Sequence, residues 1–195
     1  MELLLRGGGS SEYTDLARDA SAPAWDAFIE ALSPQAGERI LDVGAGDCSK
    51  AARVYQGANG AEVFAVDPNE KRISLARRNH PEIKSRVASA ESLPFSDAYF
   101  DRAYSTMALH HFSDLGRALE EIARVLKPGG SYVVVEVEPR SFNGRLFRFF
   151  GKLSGEKMQI MTQGQLVALI GGGKQFTVLG ATNMGSSYLV QLKRS

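Results

Sequence analysis

With 195 residues, 44% hydrophobic and 23% charged, the chain is long enough to bury one sizeable core and has the balance of a folded domain. A net charge of +1 excludes the one-signed field of a general nucleic-acid binder, and a single cysteine, Cys48, excludes an intrachain disulfide. No apolar run reaches the length of a membrane span, and Met1–Leu5 is too short an apolar start for a signal peptide, so the cytoplasm is the expected compartment.

Residues 7–12 read as a flexible lead-in. From Tyr13 to Leu32 the apolar spacing is helical, with Pro23 expected to divide it into two helices. Ile40–Val43 reads as a first strand and Ser49–Tyr55 as the start of the next helix. Val63–Val66 reads as a second strand, followed by a helix over Pro68–Asn79 with Pro68 at its first position. Ser85–Ala88 is a short third strand, Phe100–Ser105 a fourth, and Asp114–Leu126 a helix with Leu115, Leu119, Ile122 and Leu126 on one face. Lys127-Pro128-Gly129-Gly130 ends that helix, and Ser131–Val137 is a fifth strand, β-branched and suited to burial on both faces. Alternating strands and helices predict right-handed βαβ units and a mostly parallel, doubly wound sheet. In the tail, Phe176–Thr182 and Ser187–Lys193 are joined by a turn containing Asn183 and Gly185, which predicts an antiparallel hairpin. No internal repeat is present, and the expectation is one domain over 1–195, with a helical cap over 1–35 and a variable lid over 138–175.

The segment Arg39-Ile40-Leu41-Asp42-Val43-Gly44-Ala45-Gly46-Asp47-Cys48-Ser49 reads as a buried strand that enters a glycine turn and opens a helix. Gly44 and Gly46 flank a turn where a side chain would hold the backbone away from a ligand. Alone, such a pair is as often structural as functional. Asp67 adds to it: it ends the second strand about twenty residues beyond the turn, where an acidic side chain can accept both ribose hydroxyls of a nucleotide-like cofactor. Capping of the following helix is a compatible role for the same residue. Ser49 stands where a dinucleotide fingerprint has its third glycine, and Asp47 would repel a pyrophosphate. A cofactor without phosphates, with ribose, adenine and a positively charged amino-acid end, fits better, with Asp42 and Asp47 near that end.

These segments resemble the class I S-adenosylmethionine-dependent methyltransferases. The pattern is most similar to the small-molecule group that includes the ubiquinone and menaquinone biosynthesis methyltransferases. Four segments carry the resemblance: Ile40–Gly46; Val63–Pro68; Ala88–Phe95 with Phe100-Asp101; and Leu119–Gly130, with Arg-Val-Leu-Lys-Pro-Gly-Gly. The resemblance implies a three-layer Rossmann-like fold with a seven-stranded sheet and an antiparallel final strand. It also implies S-adenosyl-L-methionine as cofactor, with Gly44 and Gly46 at its methionine and ribose part, Asp67 on the ribose hydroxyls and Pro68 by the adenine. Ala90 and Glu91 would lie at the adenine edge, and Ser105, Thr106 and Met107 beside the reacting centre. One departure is Ser89, where many relatives carry Asp.

On the acceptor side, His110 and His111 follow the fourth strand at the rim of the site. His110 is the candidate general base, with loop capping as the alternative. Adjacent histidines do not make the spacing of a metal pair, and no metal is expected. Tyr13 is a candidate for either packing or site contact, and Cys48 reads as a small packed residue. Residues 141–153 interleave Phe142, Leu146, Phe147, Phe149 and Phe150 with Arg145, Arg148 and Lys152. Such a helix can pack plainly, cover an apolar acceptor, lie on a lipid surface or bind an anionic acceptor or RNA. The leading expectation is a small-molecule methyltransferase. An RNA or protein methyltransferase, or a non-catalytic cofactor-binding relative, is the alternative. Ser105-Thr106-Met107-Ala108 stands where an amino-group methyltransferase would show an Asn-Pro-Pro-Tyr type segment. The acceptor atom and the oligomeric state are not legible.

Overall fold

Short apolar runs bounded by glycines, and amphipathic stretches between them, form the elements. A computed structural model describes residues 22–58, 60–153 and 158–195. The strands are β1 (Arg39–Val43), β2 (Glu62–Asp67), β3 (Lys84–Val87), β4 (Phe100–Thr106), β5 (Leu126–Val137), β6 (Phe176–Asn183) and β7 (Ser187–Arg194). The helices are α1 (Ala22–Leu32), α2 (Ser49–Gly57), α3 (Glu70–Asn79), α4 (Leu115–Val125), α5 (Phe142–Leu153) and α6 (Gln163–Gly171), with a 3₁₀ turn at Leu109–His111.

The strands form one sheet in the order β3-β2-β1-β4-β5-β7-β6. β3, β2, β1, β4 and β5 run parallel, β7 is antiparallel to β5, and β6 is antiparallel to β7. This is the expected doubly wound sheet with its antiparallel end. After β3 the chain returns to the other side of β1, so strand order reverses between β1 and β4. Ligands bind at the carboxyl ends of strands at such a switch point.

The period of two in β1 decides which layer each residue joins. Leu41 and Val43 enter a core with Phe64, Phe100, Ile122 and Leu126, on the α4 side. Ile40 enters a second core with Phe28, Leu32, Val54 and Ile73, on the side of α1, α2 and α3. Asp42 shares Ile40's face, so a carboxylate sits in an otherwise apolar layer.

Two expectations need adjusting. The helix after β2 starts at Glu70, not Pro68: the Asn69 side chain accepts from the Arg72 N–H and makes the cap, leaving Pro68 in the loop. β5 starts at Leu126, so Lys127–Gly130 lies inside the strand, with a register shift against Phe100 and Arg102. Pro23 sits in the first turn of α1, where its missing N–H leaves no bond unmade. Tyr13, the N-terminal glycine stretch and the other helix expected before residue 22 lie outside the described residues.

Candidate active site

The glycine turn is pinned from below. The N–H groups of Gly44 and Ala45 both donate to the Val66 carbonyl at the end of β2, at 2.8 and 3.0 Å. The two glycines answer different demands. Gly44 has φ +84°, and a Cβ there would lie 2.5 Å from the Ala108 Cβ, so the β4 loop itself requires glycine. Gly46 has φ +58° and open space around its α-carbon, with only the tip of Arg72 nearby at 3.9 Å. Here the conformation, not a neighbouring wall, favours glycine.

Asp67 completes the turn. Its Oδ2 accepts the Gly46 N–H and its Oδ1 the Asn69 N–H, each at 2.9 Å. Each oxygen keeps a further lone pair for a ligand hydroxyl. Ligand binding and loop support are thus functions that one carboxylate can serve together.

Asp42 is 1% exposed, and among the described residues neither carboxylate oxygen has a hydrogen-bond partner. The Tyr104 hydroxyl, also without a bonded partner, helps hold the carboxyl's pKa down without reaching hydrogen-bond geometry. Burial pushes Asp42 up to about 7; Lys50 and Tyr104 oppose this, while Asp67 and Asp47 add to it. The neighbouring Cys48 thiol is pushed up to about 12, first by burial and then by the same three carboxylates. Asp42, Asp47 and Asp67 therefore make one electronegative locus beneath the turn, which favours a cation and disfavours a phosphate.

Backbone strain gathers here. Cys48, preceding α2, has φ +62°, and Met107, following β4, has φ +56°. Both side chains pay for the left-handed region that glycine enters freely. Ser105 is buried, donating to the Val43 carbonyl and accepting from the Tyr132 hydroxyl, both at 2.9 Å. Its hydroxyl ties the ends of β1 and β4 to the middle of β5.

The loop of Ala90 and Glu91 is clamped from α4. Glu121 accepts the Leu93 N–H, and Arg124 bonds both Glu121 and the carbonyls of Leu93 and Phe95. Its Arg124 partner, outweighing burial, holds the Glu121 carboxyl down at about 2. Ala90 is buried, and Glu91 Oε1 accepts from the Ser113 N–H and Oγ and the Asp114 N–H. Glu91 thus ties its loop to the start of α4. Pro68 is exposed at the rim.

His110 is 2% exposed, and its Nδ1 lies 2.8 Å from Glu136 Oε2. Glu136 Oε1 accepts the Leu109 N–H at 2.7 Å. Burial acts to raise the Glu136 carboxyl, but His110 and the backbone donors of Leu109 and Val137 outweigh it and hold it below its ordinary value. An ionised Glu136 accepts only, so it places a proton on Nδ1 and leaves Nε2 as the basic nitrogen of the neutral ring. The His111 ring lies 4.2 Å from that of His110 and is exposed. Sequence reasoning missed Glu136; the signal was a lone charge within the apolar run of β5, which burial obliges to find a partner.

Beyond the ends of β5 and β6 lies a cavity of about 570 Å³ lined by Glu138, Arg140, Thr162, Gln163 and Asn183, of which all but Asn183 fall in the stretch expected to vary as a lid.

Residues 41–134 match the family described as "Methyltransferase domain". An O-methyltransferase of Penicillium expansum, cnsE, is 38% identical over 112 residues, which cover 54% of this chain and 40% of that protein. The ubiquinone/menaquinone biosynthesis C-methyltransferase UbiE of Bordetella parapertussis is 36% identical over 119 residues, 57% of this chain and 46% of that protein. The matched stretch thus spans less than half the length of either curated relative. An S-adenosylmethionine-dependent methyltransferase from Mesorhizobium loti shares the fold, with a TM-score of 0.73 at 24% identity over 89% of this chain and 99% of that one. Residues 41–134 are thus similar to the methyltransferase-domain family, and the chain shares the fold of an S-adenosylmethionine-dependent methyltransferase.

Proposed function

We propose that the chain transfers a methyl group from S-adenosylmethionine to a small-molecule acceptor. The observation that carries this reading is the buried Asp42 carboxylate, without a hydrogen-bond partner among the described residues, beside Asp47 and Asp67 under a glycine turn. A group with two cationic centres and no phosphate suits that surrounding. When bound, S-adenosylmethionine supplies the electrophilic methyl.

Asp67 would accept the ribose hydroxyls, Gly44 and Gly46 would admit the ligand to the backbone, and Asp42 would balance its positive charge. Pro68 and Ala90 would flank the adenine. Glu91 and Ser105 would act through the loops they anchor. For an acceptor that must lose a proton, Nε2 of His110 would receive it, with Glu136 stabilising the imidazolium. Residues 138–175 would close over the acceptor and set its identity. The curated relatives include an O-methyltransferase and a C-methyltransferase, so both acceptor atoms belong in a screen.

Calorimetry with S-adenosylmethionine and S-adenosylhomocysteine tests the donor side. Absence of binding by either would sink the proposal. A screen of metabolite extracts with methyl-labelled cofactor tests the acceptor side.

A further inference from the structure

α5 turns Phe142 and Leu146 away from the protein. Ser141 sets its rotation. The Ser141 hydroxyl accepts the Gly144 N–H at 2.9 Å and donates to the Glu138 carbonyl at the end of β5 at 2.7 Å. Gly144 is buried against that segment, and a Cβ on it would run into the Glu138 carbonyl oxygen. The glycine side is therefore the inward side. Phe142 is 81% exposed and Leu146 is 41% exposed, one helical turn apart. Arg145 and Arg148 are exposed and three residues apart, so they share an adjacent stripe. No acidic residue occurs from Pro139 to Leu153, whereas Arg140, Arg145, Arg148 and Lys152 do.

We infer that α5 docks on the surface of a bilayer that contains anionic lipids. Phe142 and Leu146 enter the boundary between headgroups and acyl chains, and the arginines reach lipid phosphates from the flank. Charge selects this occupant. A second copy seated on the same face would bring like-charged arginines together, whereas an anionic interface neutralises them. Docking needs neither cofactor nor methyl transfer. It places the carboxyl ends of β5 and β6 near an interface where apolar acceptors dissolve.

Flotation of the full chain with phosphatidylcholine vesicles, with and without phosphatidylglycerol, is the test. Binding to the phosphatidylglycerol vesicles, weakened by salt, is expected. Arg145→Ala with Arg148→Ala should lower the partition coefficient about fivefold per arginine, or about 25-fold together. Phe142→Ser should also lower it. S-adenosylhomocysteine affinity, measured on the same variants, reports that they remain folded. Equal binding to both vesicle types, binding to neither, or unaltered binding by the variants overturns the inference. A loss confined to binding of a single-stranded RNA oligonucleotide does so too. Failure of the wild type to bind S-adenosylhomocysteine, with vesicle binding intact, would instead remove the methyl-transfer reading alone.

Discussion

The carboxyl ends of β1 and β2 and the segment after β5 are built on opposite terms. At β1 and β2, each turn residue is held by backbone: Val66 receives two N–H groups, Asp67 secures Gly46 and Asn69, and Ala108 fills the space a Gly44 side chain would need. After β5, polar side chains line an open cavity and a helix exposes Phe142 to solvent. Under the proposed function, a donor common to a whole family calls for a preorganised cradle, whereas acceptors differ and would be met by side chains on segments free to vary.

Four substitutions grade this contrast. Gly44→Val should have the largest effect. It meets both the positive φ and the Ala108 contact, so denaturant unfolding should show a loss of about 3 kcal/mol or more, with cofactor binding abolished. Normal S-adenosylhomocysteine binding would show that the cradle is not preorganised. Asp67→Ala should weaken binding by about 1–3 kcal/mol, because charge-assisted hydrogen bonds are lost. Unchanged affinity in calorimetry would remove Asp67 from the site.

Asp42→Asn should separate stability from binding. The Asp42 pKa is raised in the fold, from 3.8 to about 7, so the native state holds this proton more tightly than the unfolded chain. Its contribution makes the unliganded protein less stable as pH rises from about 4 to about 7, with no further change above that. The substitution should remove this slope and stabilise the unliganded protein at neutral pH by on the order of 1–3 kcal/mol, while weakening cofactor binding. In the wild type, S-adenosylmethionine affinity should climb with pH through about 7; a flat profile would show that the cofactor does not meet this carboxylate. Glu121 works with the opposite sign. Its carboxyl is held at about 2, so its stabilising contribution is present above about 4.5 and fades as pH falls toward 2.

Thr162→Ala should have the smallest effect. Thr162 and Gln165 form a reciprocal cap at the start of α6, on the acceptor side, so stability should fall by about 1 kcal/mol. Cofactor affinity should not move; if it does, the two regions are coupled.

Much of the fold was legible in local pattern. Short apolar runs marked the strands because a buried strand has little choice of composition, and Asn183 with Gly185 marked the tail hairpin. Element ends were less legible. Pro68 satisfied a helix-start rule, but Asn69 offered the better cap once the chain turned. Lys127–Gly130 carried stop signals that a long, irregular strand absorbed. The glycine turn was legible because one backbone segment carries Gly44 and Gly46, and Asp67 because it ends the next strand, where it bonds Gly46. Glu136 was hidden because its partner lies 26 residues away. For α5, amphipathic spacing alone left the direction of the apolar stripe open.

The sequence by itself determined the doubly wound order of elements, the glycine turn and a preference against phosphate, since each depends on neighbours in the chain. Tertiary structure alone decided that Asp42 lies in an apolar layer without a hydrogen-bond partner among the described residues, that His110 is held by Glu136, and that α5 turns Gly144 inward and Phe142 out. Each depends on which groups meet across the sheet or at its end, and the cost of burying a charge or a clash exists only once they meet.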